Sequence, residues 1–351
     1  MESRQAFREL REGKIRPFYV IFGTETYLMN EFVQRLTELV AEPDHRDMAV
    51  VRFDTSDTPL DAVIDEAETL PFLVPQKLVL VRDSTLLSSG KESAKIEHRP
   101  ERLISYIKAP MESTVLVFVV PHEKLDERKK LVKTVKAADA DVHFAPLSAD
   151  DLQRWMVRRA ETQGRRFEPD AAAELLRRVG ADMHTLAAET DKLCLHAGAD
   201  GIITARAVQE LVPAALEQNV FRLAEELAAF QTEKALATLY DLLKQREEPI
   251  KLVALLVRQF RHMIFVKELD KQGYSPQKIA GHLGLHPYAV KITLEKARKY
   301  SESHLTKMLS ELAELDYAMK TGQTDKALGL EMFLLRAGAR GAGSSGWSIR
   351  S

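Results

Sequence analysis

The chain has 351 residues, of which 45% are apolar and 29% are charged, as in an ordinary globular protein. Its 50 basic and 52 acidic side chains leave a net charge of −2, which excludes a strongly basic nucleic-acid coat and an acidic tail. A single cysteine, Cys194, excludes a disulfide framework within the chain and a cysteine-rich zinc site.

Strands and helices alternate along residues 1–145. Short apolar runs predict strands, and apolar residues at helical spacing predict helices between them. The predicted strands are 16–22, 49–53, 77–81, 114–120 and 142–144, and the predicted helices are 27–40, 59–69 and 125–138. This alternation is typical of an α/β fold, a parallel sheet with helices on its faces. The polar stretch 84–100 is expected to be a loop or a frayed helix.

The rest of the chain is predicted to be helical. Residues 146–212 contain short helical segments that stop at Gly180 and Gly198, and they predict a small helical domain. Residues 213–337 predict an all-α bundle, because long amphipathic segments fill them and no convincing strand occurs. These segments are 217–230, 232–246, 249–272, 276–283, 287–298, 302–320 and 324–337. The Gly- and Ser-rich residues 338–351 predict a disordered tail.

The turn after the first predicted strand lies where a phosphate-binding loop would form. After Gly23, a Walker A loop requires a second glycine, a lysine and a serine or threonine at set positions. Those positions hold Leu28, Met29 and Asn30, so the lysine for the phosphates and the hydroxyl for magnesium are both missing. We predict a degenerate phosphate loop at Gly23, without ATPase chemistry and without a cofactor.

Other catalytic and metal-binding patterns are missing as well. No Gly-x-Ser-x-Gly and no His-Glu-x-x-His occurs. His282 and His286 are four residues apart, but Gly284 between them favours a helix stop over a metal pair. Cys194 lies at an apolar helical position, which favours the core. We expect no catalytic and no metal-binding residues in this chain.

An apolar loop is predicted between the helix that ends at 69 and the strand 77–81. Residues 68–75 include the four apolar side chains of Leu70, Phe72, Leu73 and Val74, together with two prolines at 71 and 75. Loops are normally polar because they lie on the surface, so this one is either buried or a docking element. The prolines reduce the entropy lost on docking, and Phe72 would then be the anchor, since aromatic residues dominate binding hot spots.

A helix-turn-helix-like segment lies at residues 276–293. Ala280, Gly284 and Val290 supply the small residue, the turn glycine and the β-branched residue of such a motif. Residues 241–300 carry 12 basic and 6 acidic side chains, an excess of +6, so contact with DNA is physically possible. The alternative is a pair of short bundle helices joined by a glycine turn.

The order of these features resembles the delta subunit of bacterial DNA polymerase III, a clamp-loader subunit. The resemblance extends over residues 17–336 and depends on motifs that are weak singly. They are residues 17–28 with Glu31, Thr69-Leu-Pro-Phe-Leu73 before strand 77–81, residues 180–186 with Glu189, Lys192 and Leu193, and residues 275–300 with Leu312, Asp316 and Lys320-Thr-Gly322.

The resemblance implies an AAA+-like α/β domain at 1–145, a small lid-like helical domain at 146–212 and a helical collar at 213–337. It implies a protein that binds no ATP and has no catalytic site of its own, although it belongs to a nucleotidyltransferase complex. The implied partners are the ATP-hydrolysing loader subunits and the delta-prime subunit in a pentameric ring, primed DNA, and the sliding clamp, which the protein would bind and open.

The resemblance also assigns the apolar loop to clamp binding. In the family, the clamp-binding pair is an apolar residue followed by Phe. Here the Phe matches Phe72, but Pro71 precedes it and Leu70 lies one residue earlier, so either could make the second contact. The alternatives are a helix-turn-helix regulator with an α/β sensor domain and, less compatible with the residues, a nucleotide-dependent enzyme. No signal peptide and no apolar run of about 18 residues is found, so we expect a cytoplasmic protein in the replisome without membrane contact.

Overall fold

The computed structural model describes residues 1–82, 85–89, 96–198 and 201–344. It divides into two compact units, Met1–Leu147 and Ser148–Ser351. This division lies two residues after the predicted boundary at 145. The predicted boundary at 212 lies inside the second unit and stays a prediction.

The described part of the first unit contains a five-stranded parallel sheet with strand order β2-β3-β4-β1-β5. Strand β1 pairs with β4 on one side and with β5, an edge strand, on the other. The strands are β1 Phe18–Gly23, β2 Val50–Asp54, β3 Lys77–Arg82, β4 Thr114–Val120 and β5 Asp141–Phe144. The predicted strands are therefore confirmed, with ends that differ by at most two residues.

Helices cover both faces of this sheet. They are α1 Ser3–Arg11, α2 Thr26–Val40, α3 Arg46–Ala49, α4 Leu60–Glu68, α5 Pro100–Lys108 and α6 Lys130–Ala137. Phe18, Val20 and Phe22 of β1 form one core with α4, α5 and α6. Tyr19 lies on the other face, with its ring 5.4 Å from that of Phe32 on α2. Burial on both faces explains why the strands are continuous apolar runs, and the predicted α/β class is confirmed.

Helices α1, α3 and α5 of this unit do not follow from the apolar pattern. Helix α1 buries only Ser3, Ala6 and Leu10. A contact with a distant strand fixes its start, because the amino terminus donates a hydrogen bond to the Asp141 carbonyl of β5 (2.6 Å). Helix α5 begins at Pro100, where the predicted polar stretch ends. Within that stretch, Thr85–Leu87 forms a 3-10 turn, and residues 83–84 and 90–95 lie outside the described part.

The second unit is almost entirely helical, as predicted. Its helices are α7 Ala149–Thr162, α8 Ala171–Val179, α9 Met183–His196, α10 Ala205–Leu211, α11 Leu216–Ala228, α12 Thr232–Lys244, α13 Pro249–Lys271, α14 Pro276–Leu283, α15 Pro287–Ala297, α16 Glu302–Lys320 and α17 Lys326–Ser344. A short parallel pair, β6 Arg166–Phe167 and β7 Ile202–Ile203, was not predicted, because two-residue strands have no readable period. None of the described helices is long and apolar enough to cross a bilayer.

Helix α13 is the central element of the bundle. Its sequence is apolar on more than one face, and the buried side chains include Leu252, Leu256, Phe260 and Met263. They belong to one core with residues of α11, α12, α16 and α17. Most of the apolar surface of α13 is therefore buried by the other helices of the bundle.

The predicted disorder of residues 338–351 is wrong for the first half of that segment. Helix α17 continues to Ser344, and residues 345–351 lie outside the described part. A Cβ atom at Gly338 would lie 1.6 Å from Oγ1 of Thr232. This glycine therefore permits a close approach of α17 to the start of α12. A glycine can serve either close packing or chain flexibility, and composition alone does not show which of the two applies.

Candidate functional site

The apolar loop comprises residues 69–76, between α4 and β3. Helix α4 ends at Glu68, and the next residue closes its last turn. The backbone N–H of Thr69 donates to the Asp65 carbonyl (3.1 Å), and its hydroxyl donates to the same oxygen (2.8 Å). Pro71 has no N–H to continue the helical ladder, so the chain leaves the helix here.

Three large apolar side chains of this loop project into solvent. Leu70 is 71% exposed, Phe72 is 78% exposed and Leu73 is 71% exposed. Pro71 and Val74 are half-buried. The structure therefore excludes the core interpretation for Phe72, and its role in docking stays a prediction. Clustered exposed apolar side chains mark interaction surfaces.

Leu73 has an unusual backbone conformation. Its φ is +61°, in the left-handed region that costs a residue with a Cβ roughly 1–2 kcal/mol. Conformations of this kind persist where the surrounding structure holds them, and they are concentrated at binding sites. The apolar loop thus has a defined bend next to Phe72.

Lys77 fixes the end of the loop. Its side chain is only 4% exposed, and its ammonium donates to the Glu66 carbonyl (2.5 Å) and to Glu66 Oε1 (2.7 Å). A buried ammonium requires such partners. The start of β3 is therefore tied to the last turn of α4 across the base of the loop. Gln76 adds a hydrogen bond from Nε2 to the Glu112 carbonyl (3.1 Å).

Arg102 on α5 holds the end of α4 from its other side. The guanidinium donates to Asp65 Oδ1 (2.8 Å) and to Glu68 Oε2 (3.2 Å). The hydrogen bond to Asp65 raises the pKa of Arg102. Carboxylates near a helix C-terminus are unfavourable to the helix dipole, and Arg102 offsets this repulsion. These contacts make the base of the apolar loop rigid while its tip stays exposed.

The degenerate phosphate loop has a different construction. Gly23 has φ +140°, and a Cβ atom there would lie 2.1 Å from the Phe144 carbonyl oxygen. The Glu25 carboxylate accepts a hydrogen bond from the Tyr27 N–H (3.3 Å) at the start of α2, so the chain's own anion occupies the helix N-terminus. Met29, at the lysine position of a Walker A loop, is 1% exposed.

Neighbouring Leu28 is buried in the core and Asn30 is exposed. The residues at the three diagnostic positions thus do not converge on a phosphate site. This geometry supports the prediction that the turn lacks nucleotide chemistry, and that prediction stays open to the test given below.

The helix-turn-helix-like segment is formed by α14 and α15. Gly284 ends α14 with φ +64°. Ala280 and Val290 pack with Val266 of α13 in a small separate core. Part of the basic excess is used in ion pairs, which are Lys271 with Glu302 (2.5 Å), Lys296 with Glu225 (2.6 Å) and Arg298 with Asp270 (2.9 Å). This segment behaves as a corner of the bundle.

His282 and His286 have backbone partners, and Cys194 lies in the core. His282 Nδ1 lies 2.8 Å from the Lys278 carbonyl, and His286 caps α15 by accepting from the Tyr288 N–H (3.1 Å). Burial lowers the pKa of His286 to about 4, so it is neutral at pH 7. Cys194 is buried, which raises the pKa of its thiol. No metal-ligating cluster is found among the described residues.

One exposed apolar stripe was missed by the sequence pattern. Leu328, Met332 and Leu335 lie on one face of α17 and are exposed, while Leu330, Phe333 and Leu334 are buried. The spacing of the stripe is helical. Because α17 has apolar residues on both faces, the sequence does not show which face is exposed. Lys77 and Arg102 were also missed, because their roles depend on partners on a neighbouring element, α4, that no local pattern identifies.

Comparisons with known proteins give the same family along most of the chain. Residues 19–144 match the family model of the DNA polymerase III delta subunit, and residues 217–337 match that of its C-terminal domain. The DNA polymerase III subunit delta of Bacillus subtilis is 39% identical over 330 residues, 94% of this chain and 95% of that protein. A probable delta subunit of Aquifex aeolicus is 23% identical over 90% of this chain and 89% of that protein.

A solved structure is similar over nearly the whole chain. The Bacillus subtilis DNA clamp loader delta protein has 38% sequence identity and a TM-score of 0.81. The match covers 96% of this chain and 99% of that one. Both units described above thus have counterparts in one protein of known structure.

Proposed function

Because this chain belongs to the DNA polymerase III delta-subunit family, we propose that it binds the sliding clamp through the apolar loop and opens it for loading onto primed DNA. The family membership makes it a clamp-loader subunit in DNA replication. A regulator that reads DNA sequence is not favoured by the family membership or by the position of α14 and α15 inside the bundle.

The observation that carries the proposal is the exposure of Leu70, Phe72 and Leu73 on a loop with a rigid base. A rigid loop loses little entropy on docking, and an exposed aromatic side chain is the usual hot-spot anchor. We assign the second contact to Leu70 in preference to Pro71, since Pro71 is half-buried.

Opening of a ring requires that the protein bind the open form more tightly than the closed form. A loop on a flexible tether would transmit little force between partner and scaffold. Here Lys77 joins the two ends of the loop, because it bonds the last turn of α4 to the start of β3, so that docking of Phe72 would place the clamp against a fixed surface. This rigidity supports opening by the apolar loop.

Assembly with the ATP-hydrolysing subunits and the delta-prime subunit in a pentameric ring is the second part of the proposal. The support comes from the exposed stripe of Leu328, Met332 and Leu335 on α17, since apolar helix faces of this kind are covered by partner helices. The apolar surface of α13 is no argument for assembly, because the bundle covers most of it. We further propose that the chain itself binds no ATP and acts in the cytoplasm.

The test is the affinity of the purified chain for the immobilised sliding clamp. Phe72→Ala should weaken binding by about 2 kcal/mol, a typical hot-spot cost, which is about 30-fold. Leu39→Ala is the matched control, because Leu39 is an exposed leucine of α2 in the same unit. Equal clamp affinity of Phe72→Ala and the control would refute the assignment of the apolar loop.

A further inference from the structure

A shallow groove lies between α5 and α6 in the first unit. It has a volume of about 400 Å³ and is lined by Ile107, Lys108, Lys130, Lys133, Thr134 and the alanines at the end of α6. Ile107 is buried and the three lysines are exposed. The groove therefore combines a partly apolar floor with a cationic rim.

The charge of this rim is not neutralised. Within the described residues, the ammonium groups of Lys108, Lys130 and Lys133 have no ion pair and no hydrogen-bond acceptor. Among the carboxylates nearby along the chain, Asp126 pairs with Arg128 at 2.8 Å, Glu127 with Lys136 at 2.5 Å and Asp139 with Arg16 at 3.0 Å. The local excess of positive charge is free to act on a partner.

One end of the groove, formed by Ile107, Lys108 and the alanines at the end of α6, lies at the same edge of the sheet as the apolar loop. Helices α4, α5 and α6 each run back along the parallel strands, so each ends where the next strand begins. The segments 69–76, 109–113 and 138–140 thus follow one another along this edge. Direct contacts join the first two, from Gln76 Nε2 to the Glu112 carbonyl (3.1 Å) and from the Lys77 N–H to the Ser113 carbonyl (3.0 Å).

We propose that this groove is a second contact for the clamp and receives an acidic surface segment of that protein. The inference depends on the proposed function, because it assigns the groove the same partner as Phe72. Lysine ammonium groups are point charges on flexible stems, which suit carboxylates of varied geometry. The floor around Ile107 and its continuity with the apolar loop favour a protein over a phosphate backbone, which has no apolar group to place there.

Contacts of this kind act mainly on the rate of association. Charges at the rim of an interface steer encounter and make it dependent on salt, and they contribute less to the lifetime of the complex. The apolar loop and the groove would therefore have separable effects. Loss of Phe72 should speed dissociation, whereas loss of the three lysines should slow association.

The experiment measures association and dissociation rates with the immobilised clamp at low and at physiological ionic strength. The variant carries Lys108→Gln, Lys130→Gln and Lys133→Gln in the full chain. We expect about tenfold slower association at low ionic strength, as for loss of electrostatic steering, and a flatter salt dependence. The matched control carries Lys278→Gln, Lys291→Gln and Lys299→Gln, the same charge change on exposed lysines of α14 and α15 and just beyond α15, and it should stay within about twofold.

The outcomes separate this inference from the proposed function. If Phe72→Ala weakens binding and the groove variant matches its control, the inference is overturned and the proposed function stands. If the groove variant instead loses affinity for a primed DNA duplex while its clamp kinetics are unchanged, the groove binds phosphate and the inference is likewise overturned. Failure of the unaltered chain to bind the clamp would overturn both. A melting temperature equal to that of the control shows that the three exposed substitutions leave the fold intact.

Discussion

Two turns of the same sheet show how exposure and function are related in this chain. The turn after β1 lies at the carboxyl edge, where ligands of parallel sheets usually bind, yet Met29 is buried and the Glu25 carboxylate caps the helix. The loop after α4 lies at the opposite edge and leaves Phe72 exposed. The turn where a small ligand would usually bind is filled by the chain itself, and the loop at the other edge presents three exposed apolar side chains.

The first way to test this comparison is to disrupt the closed turn. Gly23→Ala places a Cβ 2.1 Å from the Phe144 carbonyl, and β1 and β5 must separate to admit it. We expect a loss of about 3 kcal/mol in the free energy of unfolding, measured by urea denaturation. Gly13→Ala is the control, because Gly13 also has a positive φ (+72°) but no atom near the added Cβ. Equal losses in the two variants would show that the positive φ, and not the close approach to Phe144, is the reason that position 23 requires glycine.

The second prediction concerns the rigid base of the apolar loop. Lys77→Met removes the ammonium that joins Glu66 to β3 and leaves a partly buried carboxylate unpaired. We expect a loss of about 2 kcal/mol in the free energy of unfolding together with weaker clamp binding by the folded protein. Phe72→Ala should weaken clamp binding without any loss of unfolding free energy. Unchanged clamp affinity in folded Lys77→Met would show that the loop needs no fixed base.

The third prediction distinguishes the two candidates for the second clamp contact. Leu70 is exposed and Pro71 is half-buried. Leu70→Ala should weaken clamp binding about tenfold, which is about 1.4 kcal/mol, and Pro71→Ala should have a smaller effect. Surface plasmon resonance on both variants checks the order. A larger loss for Pro71→Ala would reverse the assignment.

The smallest expected effect is that of ATP. Because Leu28 and Met29 are buried and Glu25 places a negative charge at the start of α2, added ATP should produce no binding heat at millimolar concentration and no increase in melting temperature. Calorimetry on the isolated chain checks this. Saturable binding would mean that the turn after β1 can open to admit a nucleotide. The contrast between this filled turn and the exposed apolar loop would then be wrong.

Much of the fold follows from local patterns in the sequence. Strands such as 77–81 and 114–120 are buried on both faces, so they are continuous apolar runs that need no partner to be recognised. Helices such as α13 and α16 have long periodic patterns. By contrast, α1 has few apolar residues and depends on the strand β5, far along the chain, to which its start is bonded. Gly338 was assigned to a tail, although it lies against Thr232.

The candidate site divides in the same way. The sequence by itself determined that residues 68–75 form an apolar loop and that Leu28, Met29 and Asn30 replace the phosphate ligands, because residue type at a given position is local information. Only the tertiary structure decided that Phe72 is exposed, that Lys77 and Arg102 hold the base of the loop, and that a groove rimmed by lysines reaches the same edge. Exposure and pairing depend on which distant segments pack together, and a single sequence does not contain those distances.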